Sequence, residues 1–236
     1  MEAILLAGGQ ATRLGDAARG HPKALVPIAG HPLAEYQVWQ LVRAGVDRVL
    51  VSCAAGQAAL FEAKLSGLGA EVVAVAEPEP LGRGGGLRLA AKHRDESGPV
   101  YAFNGDELHD VDLRAFLDAH LENGGAATIV VAPLRSQFGV VELADGDRIT
   151  GFHEAPRLPH WVSAGVYVLD DEALARLPQL GDHEDSTFPE LAHEGKLFAF
   201  RHEGLWITVN TPKDLQRAEA HYAAHPELRP TLARNR

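Results

Sequence analysis

Ala3-Ile4-Leu5-Leu6-Ala7 is an apolar run of strand length that stops abruptly at Gly8-Gly9. Comparable runs recur at 48–53, 71–76 and 99–104. Strands that are apolar on both faces suit a parallel sheet covered by helices above and below. The intervals at 33–44, 55–66 and 85–94 supply those helices, and the first sets Leu33, Tyr36, Val38, Leu41 and Val42 at roughly helical spacing. This alternation predicts an α/β fold, mostly parallel, with helices on both faces of one sheet. Beyond residue 125 the pattern turns towards β, at 127–132, 139–143, 148–154 and 161–169, and Asp145-Gly146 carries a hairpin signal. These segments predict a small β-rich lobe beside the main sheet. Two more helices are expected at 171–177 and 211–223, the second capped by Thr211 with Pro212 in its first turn. The tail, 223–236, is expected to fray from His225 onward.

Composition narrows the class. The chain has 236 residues, 46% hydrophobic and 23% charged, an ordinary globular balance that can bury one large core. No apolar stretch reaches membrane-spanning length, and Glu2 precedes a short apolar segment with none of the basic start of a leader. No membrane partner and a cytoplasmic location are the expectations. The single cysteine, Cys53, excludes an intramolecular disulfide. The net charge of −10 is unevenly spread: residues 1–100 hold ten Lys/Arg and ten Asp/Glu, residues 101–236 twelve and twenty-two. No nucleic-acid footprint is expected from such a surface. Most of the second-half acids read as solvated surface.

The chemistry concentrates at strand ends. Two glycines directly after a parallel strand let the main chain approach a ligand closely, and amides left free there form an anion-binding concavity. Arg13 and Lys23 follow in the same loop, and phosphate is the natural anion for that set. Neither standard phosphate loop is present, since no Gly-Lys-Ser/Thr closes the segment and no G-x-G-x-x-G occurs in it. After the 99–104 strand, Asn104-Gly105-Asp106 presents a carboxylate suited to Mg²⁺, although the same triplet also makes a common turn. Ligands of such sheets bind beyond the carboxyl ends of the strands, where these turns and the 77–86 loop fall.

The succession Leu6-Ala7-Gly8-Gly9, Thr12-Arg13-Leu14-Gly15 and Pro22-Lys23 resembles the signature of the sugar-phosphate nucleotidyltransferases, mannose- or heptose-1-phosphate guanylyltransferase-like members in particular. The resemblance covers residues 1–222 and implies one Rossmann-like domain, with 1–125 a nucleotide-binding half and 126–222 a sugar-binding half. It implies that a nucleoside triphosphate, GTP favoured, is joined to a sugar 1-phosphate, with Mg²⁺ as cofactor and pyrophosphate leaving. Arg13, Lys23 and Asp106 are then the catalytic set, and Asp106 is also the metal ligand. Leu6, Ala7, Gly8, Gly9 and Thr12 help to hold the nucleotide, with Leu81 and Gly82 from the loop over the base. Gly139, Glu154 and Gly165 hold the sugar phosphate. A homo-oligomer is left open. Relatives with a left-handed β-helix acyltransferase domain continue past the point where this chain stops, so transferase activity alone is expected.

The chain departs from the family pattern in three places. Ala155 stands where relatives carry the lysine of a Glu-Lys-Pro element, with Arg157, His153 or His160 as replacements. Arg83 interrupts the usual Gly-Thr-Ala-Gly. Thr208 stands where relatives carry a second metal aspartate, which leaves Thr208 and Asn210 as weak neutral ligands and Glu107 and Asp110 as nearby helpers. Two alternatives follow: a non-catalytic nucleotide-sugar-binding regulator, and a metal-dependent glycosyltransferase using Asp110-Val111-Asp112, a triplet that also suits a helix start.

Overall fold

The computed structural model describes residues 1–231. The strands are β1 (Glu2–Leu6), β2 (Pro27–Ile28), β3 (His31–Pro32), β4 (Arg48–Ala54), β5 (Glu71–Glu77), β6 (Val100–Asn104), β7 (Glu107–His109), β8 (Ala127–Arg135), β9 (Val140–Leu143), β10 (Ile149–His153), β11 (Arg157–Leu169), β12 (Leu197–Arg201) and β13 (Trp206–Thr208). The helices are α1 (Leu33–Arg43), α2 (Ala58–Leu65), α3 (Gly82–Ala91), α4 (Leu113–Asn123), α5 (Asp171–Ala175), α6 (Thr187–His193) and α7 (Pro212–Ala224).

Seven strands make the central sheet in the order β12-β8-β11-β6-β1-β4-β5. β1 runs parallel to β4 and β6, as do β4 with β5 and β12 with β8, while β11 is antiparallel to both neighbours. The four N-terminal apolar runs are β1, β4, β5 and β6. Their alternate side chains feed two cores. Ala3 and Leu5 pack with Val38 of α1, Phe61 of α2 and Phe116 of α4, whereas Ile4 packs with Leu87 of α3, Leu174 of α5 and Leu191 of α6. A third cluster binds α7 to the N-terminal loop through Tyr222, Tyr36, Leu14 and Val26.

Several boundaries differ from the pattern-based ones. α3 begins three residues before the expected 85, with four glycines in its first five residues. Its cap is tertiary: Gly84 N and Gly85 N donate to Gly181 O at 2.9 and 3.2 Å, and Arg83 N donates to Asp182 Oδ1 at 2.8 Å. Asp112 does start a helix, accepting from Arg114 N and Ala115 N at the head of α4. β8 and the inner half of β11 belong to the central sheet, so the β-rich lobe is the β9–β10 hairpin with the outer ends of β8 and β11. The segment after α7 turns back on the fold: Arg229 Nε donates to Tyr222 O at 2.7 Å and Pro230 is buried, against the expected fraying from 225. Residues 232–236 of that tail lie outside the described residues.

Candidate active site

The chain runs from β1 to β4 and β5 on one side, then returns to β6 on the other, so the strand order reverses at β1. Crevices at such reversals, beyond the carboxyl ends of the strands, are where α/β sheets bind ligands. β1 ends at the Gly8-Gly9 turn and β6 at Asn104-Gly105-Asp106. The two ends are joined by Gly105 N donating to Leu6 O at 2.8 Å. A cavity of about 940 Å³ opens there.

One wall is built to attract anions. Gly8, Gly9 and Gln10 line the cavity, and among the described residues nothing accepts a hydrogen bond from their amides. Arg13 and Lys23 line it beside them. Arg13 Nη2 donates to Asn210 Oδ1 at 2.9 Å, and Lys23 Nζ reaches Asn210 Oδ1 and Asp106 Oδ2, each at 2.5 Å. Asn210 therefore braces both cations, which keeps their charges fixed at the cavity edge. Behind the diglycine, the buried Glu77 accepts from Ser52 Oγ at 2.7 Å and from Leu81 N at 3.1 Å. A Cβ on Gly8 would lie 2.9 Å from Glu77 Oε1, so the turn and the 77–82 loop are in close contact.

The opposite side is acidic. Glu107, 5% exposed, lines the cavity next to Asp106. β7 pairs antiparallel with β13, setting Thr208 directly across from Glu107. Thr208 Oγ1 and Trp206 Nε1 both donate to Glu107 Oε2, at 2.7 and 2.8 Å. Burial, and then the neighbouring Asp106 charge, push the Glu107 carboxyl up to about 8. At the far rim, Arg83 pairs with Asp182 at 2.8 Å and Glu184 at 2.7 Å. That arginine holds the Asp182 carboxyl below its ordinary range, while burial raises Glu184. Tyr167 OH lies between Glu184 Oε1 and Asn104 Nδ2, at 3.4 and 3.5 Å.

A family profile described as "Nucleotidyl transferase" matches residues 2–225. The chain belongs to the nucleotidyl transferase family. It is 32% identical over 232 residues to a mannose-1-phosphate guanylyltransferase of Mycobacterium tuberculosis, covering 93% of this chain and 64% of that one. It is 33% identical over 224 residues to the mannose-1-phosphate guanylyltransferase catalytic subunit beta of Danio rerio, covering 91% and 62%. The chain thus spans under two thirds of the length of these relatives. Among solved structures, HddC from Yersinia pseudotuberculosis superposes with a TM-score of 0.74 at 22% identity, covering 94% of this chain and 99% of that one, a likeness of fold.

Within this family member the residues expected from sequence divide into two groups. Leu6, Ala7, Gly8, Gly9, Arg13, Lys23, Gly82, Asp106, Gly165, Thr208 and Asn210 all line the one cavity. Thr12 and Leu81 are not among its lining residues. Gly139 and Glu154 are not brought to it: both sit by the exposed β9–β10 hairpin, where Gly139 backs onto the Phe152 ring. The replacements considered for the missing lysine do not reach the cavity either. Arg157 turns to Glu203 at 3.0 Å, His153 to Glu142 at 3.1 Å, and His160 is exposed. Asp110 is a structural acceptor, taking Leu205 N at 2.7 Å. Glu107, expected only as a nearby helper of the metal site, is buried in the cavity wall. Asp182 and Glu184 were absorbed into the acidic surplus, and their only signal was proximity to a glycine in Gly181-Asp182-His183-Glu184.

Proposed function

We propose that this chain is a sugar-1-phosphate nucleotidyltransferase. Free amides and Arg13 gathered in one crevice with the Lys23–Asp106 pair carry the reading. The reaction brings together two anions, the phosphate of a sugar 1-phosphate and the α-phosphate of a triphosphate, with pyrophosphate leaving opposite the attack. Its main demands are alignment and charge neutralisation. The Gly8-Gly9 amides and the planar fork of Arg13 suit the departing phosphates, and the Lys23 ammonium serves as a point charge between them. No covalent nucleophile is needed. Burial raises the Cys53 thiol to about 11, which suits an inert core residue.

Mg²⁺ is the proposed cofactor. The donor set fits a hard cation: Asp106 offers carboxylate oxygen, and the Lys23 ammonium already nests as a cation between Asp106 Oδ2 and Asn210 Oδ1. Held by Asp106, the ion would supply charge neutralisation at the α-phosphate. GTP is favoured by the names of the relatives and by the Leu81-Gly82 rim, and a sugar in the mannose or heptose class by the same names.

The test is pyrophosphate release with Mg²⁺ from GTP, UTP, dTTP, CTP and ATP, each paired with several sugar 1-phosphates. Turnover with GTP is expected. Nucleotide binding without turnover on any pair would favour the second reading, a nucleotide-sugar-binding regulator, which Thr208 and Ala155 motivate.

A further inference from the structure

We infer that Glu107 supplies the second metal-side carboxylate of this active site, replacing the aspartate that position 208 lacks, with Thr208 and Trp206 as its positioning residues. The inference rests on the nucleotidyl-transfer reading above and assigns a residue within it.

Geometry carries the assignment. β7 and β13 are antiparallel partners in register Glu107↔Thr208, so a carboxylate rooted on either strand projects into the same space. The Glu107 chain is long enough to cross: its Oε2 lies 2.7 Å from Thr208 Oγ1, at the very side chain that replaces the aspartate. Both available donors, Thr208 Oγ1 and Trp206 Nε1, converge on that one oxygen. Oε1 accepts no hydrogen bond among the described residues, and the side chain lines the cavity beside Asp106. The side chain is 5% exposed, and among the described residues the protein supplies partners for Oε2 alone.

The surroundings make room for this acid. A Cβ at Gly165, on β11, would stand 2.9 Å from Glu107 Cγ, so any larger residue there would displace the carboxylate. If Glu107 served only to accept from Trp206, a glutamine would do as well, and Thr208 would be a second, redundant donor. Two donors on one oxygen fix the carboxylate plane and turn the other oxygen to the crevice, as outer-shell partners of metal-bound carboxylates do. The pair Glu107 and Thr208 thus reads as a swap across one ladder rung: the charge has moved from β13 to β7, and the vacated position has become the donor that aims it.

The experiment compares wild type, Glu107→Gln, and the double variant Glu107→Val with Thr208→Asp, in the full chain. Free Mn²⁺ is counted by electron paramagnetic resonance at fixed GTP and protein, which reads ternary metal binding without turnover. GTP affinity is measured separately in EDTA by calorimetry, and melting temperature reports folding. Glu107→Gln is expected to weaken Mn²⁺ binding by at least about tenfold, a lower bound taken from losses at outer-shell partners. Its metal-free GTP affinity stays near wild type, and in EDTA it melts cooperatively at or above the wild-type temperature. The double variant is expected to regain most of the Mn²⁺ affinity. Mn²⁺ binding by Glu107→Gln within about twofold of wild type, or a folded double variant that regains nothing, overturns the assignment and leaves nucleotidyl transfer standing. Wild-type protein that binds no nucleotide of the panel overturns both.

Discussion

Replacing Lys23 with methionine removes an ammonium and keeps most of the apolar stem, which separates its ion pair with Asp106 from the role proposed for it at the phosphates. In the free protein the ammonium is 2.5 Å from both Asp106 Oδ2 and Asn210 Oδ1, on a side chain 12% exposed. At an effective dielectric of about 20, unit charges about 4 Å apart attract by about 4 kcal/mol, before desolvation and side-chain ordering are subtracted. Hydrogen bonds to charged groups net about 1.5–3 kcal/mol, so a stability loss of about 2 kcal/mol is expected. For a chain of about this size, that lowers the melting temperature by roughly 4–8 °C. The role at the phosphates is larger: one preorganised electrostatic contact is worth about 2.7–4 kcal/mol in the barrier, a loss of about 10²–10³-fold in turnover. The assay is pyrophosphate release from GTP and mannose 1-phosphate well below the lowered melting temperature, alongside a calorimetric scan. A variant that melts earlier yet keeps kcat/KM within about fivefold of wild type would refute the reasoning. Lys23 would then be a counter-ion for Asp106 and nothing more.

Arg13→Ala is expected to cost at least about a hundredfold in turnover with little change in melting temperature, since Arg13 is exposed and its only bond among the described residues is to Asn210; activity within a few fold of wild type sinks the assignment. Gly105→Ala would put a Cβ 2.3 Å from Leu6 O, and forcing β1 and β6 apart costs about 1–3 kcal/mol, read as a lower urea midpoint. Unchanged stability would show that the strands are not clamped there. The metal-free protein should be most stable near pH 6.5. Burial depresses His183 to about 4 and His109 to about 3, so the unfolded chain takes up their protons first and stability falls as pH drops from about 6.5. Each contributes up to about 1.4 kcal/mol per pH unit. Glu107 acts oppositely between about 4.5 and 8, because its raised value makes the folded state hold a proton that the unfolded state has released; above about 6.5, where the histidines no longer offset it, stability falls towards 8. Urea midpoints in EDTA across this range check it, with Glu107→Gln abolishing the alkaline decline; a profile that rises steadily with pH would contradict the balance.

The diglycine side of the crevice was legible because its signals are local. Continuous apolar runs end in Gly8-Gly9 and in Asn104-Gly105-Asp106, and the strand and its turn lie within ten residues of each other. What escaped depends on distant partners. The first turn of α3 reads as loop, since three glycines have poor helix propensity and their cap comes from Gly181 and Asp182. β7 and β13 are three residues each, too short for a period to show, and Glu107 is buried only because they pair. β12 was missed because it is an edge strand with largely exposed side chains, and α6 because Pro189 sits inside its seven residues. Glu154 followed a motif rather than a contact, and it stands just after the exposed hairpin, outside the cavity lining.

The cap that residues 181–182 place on α3 has a consequence for how this protein comes into being. A growing chain that has emerged only as far as β7 already possesses the diglycine turn, both N-terminal cations and Asp106. It lacks the stopper for α3, the amide that braces Arg13 and Lys23, and the donors that orient Glu107. The crevice is therefore finished last, from its carboxyl-terminal side, and a fragment ending near residue 125 would carry the most recognisable motif of the chain without a working pocket.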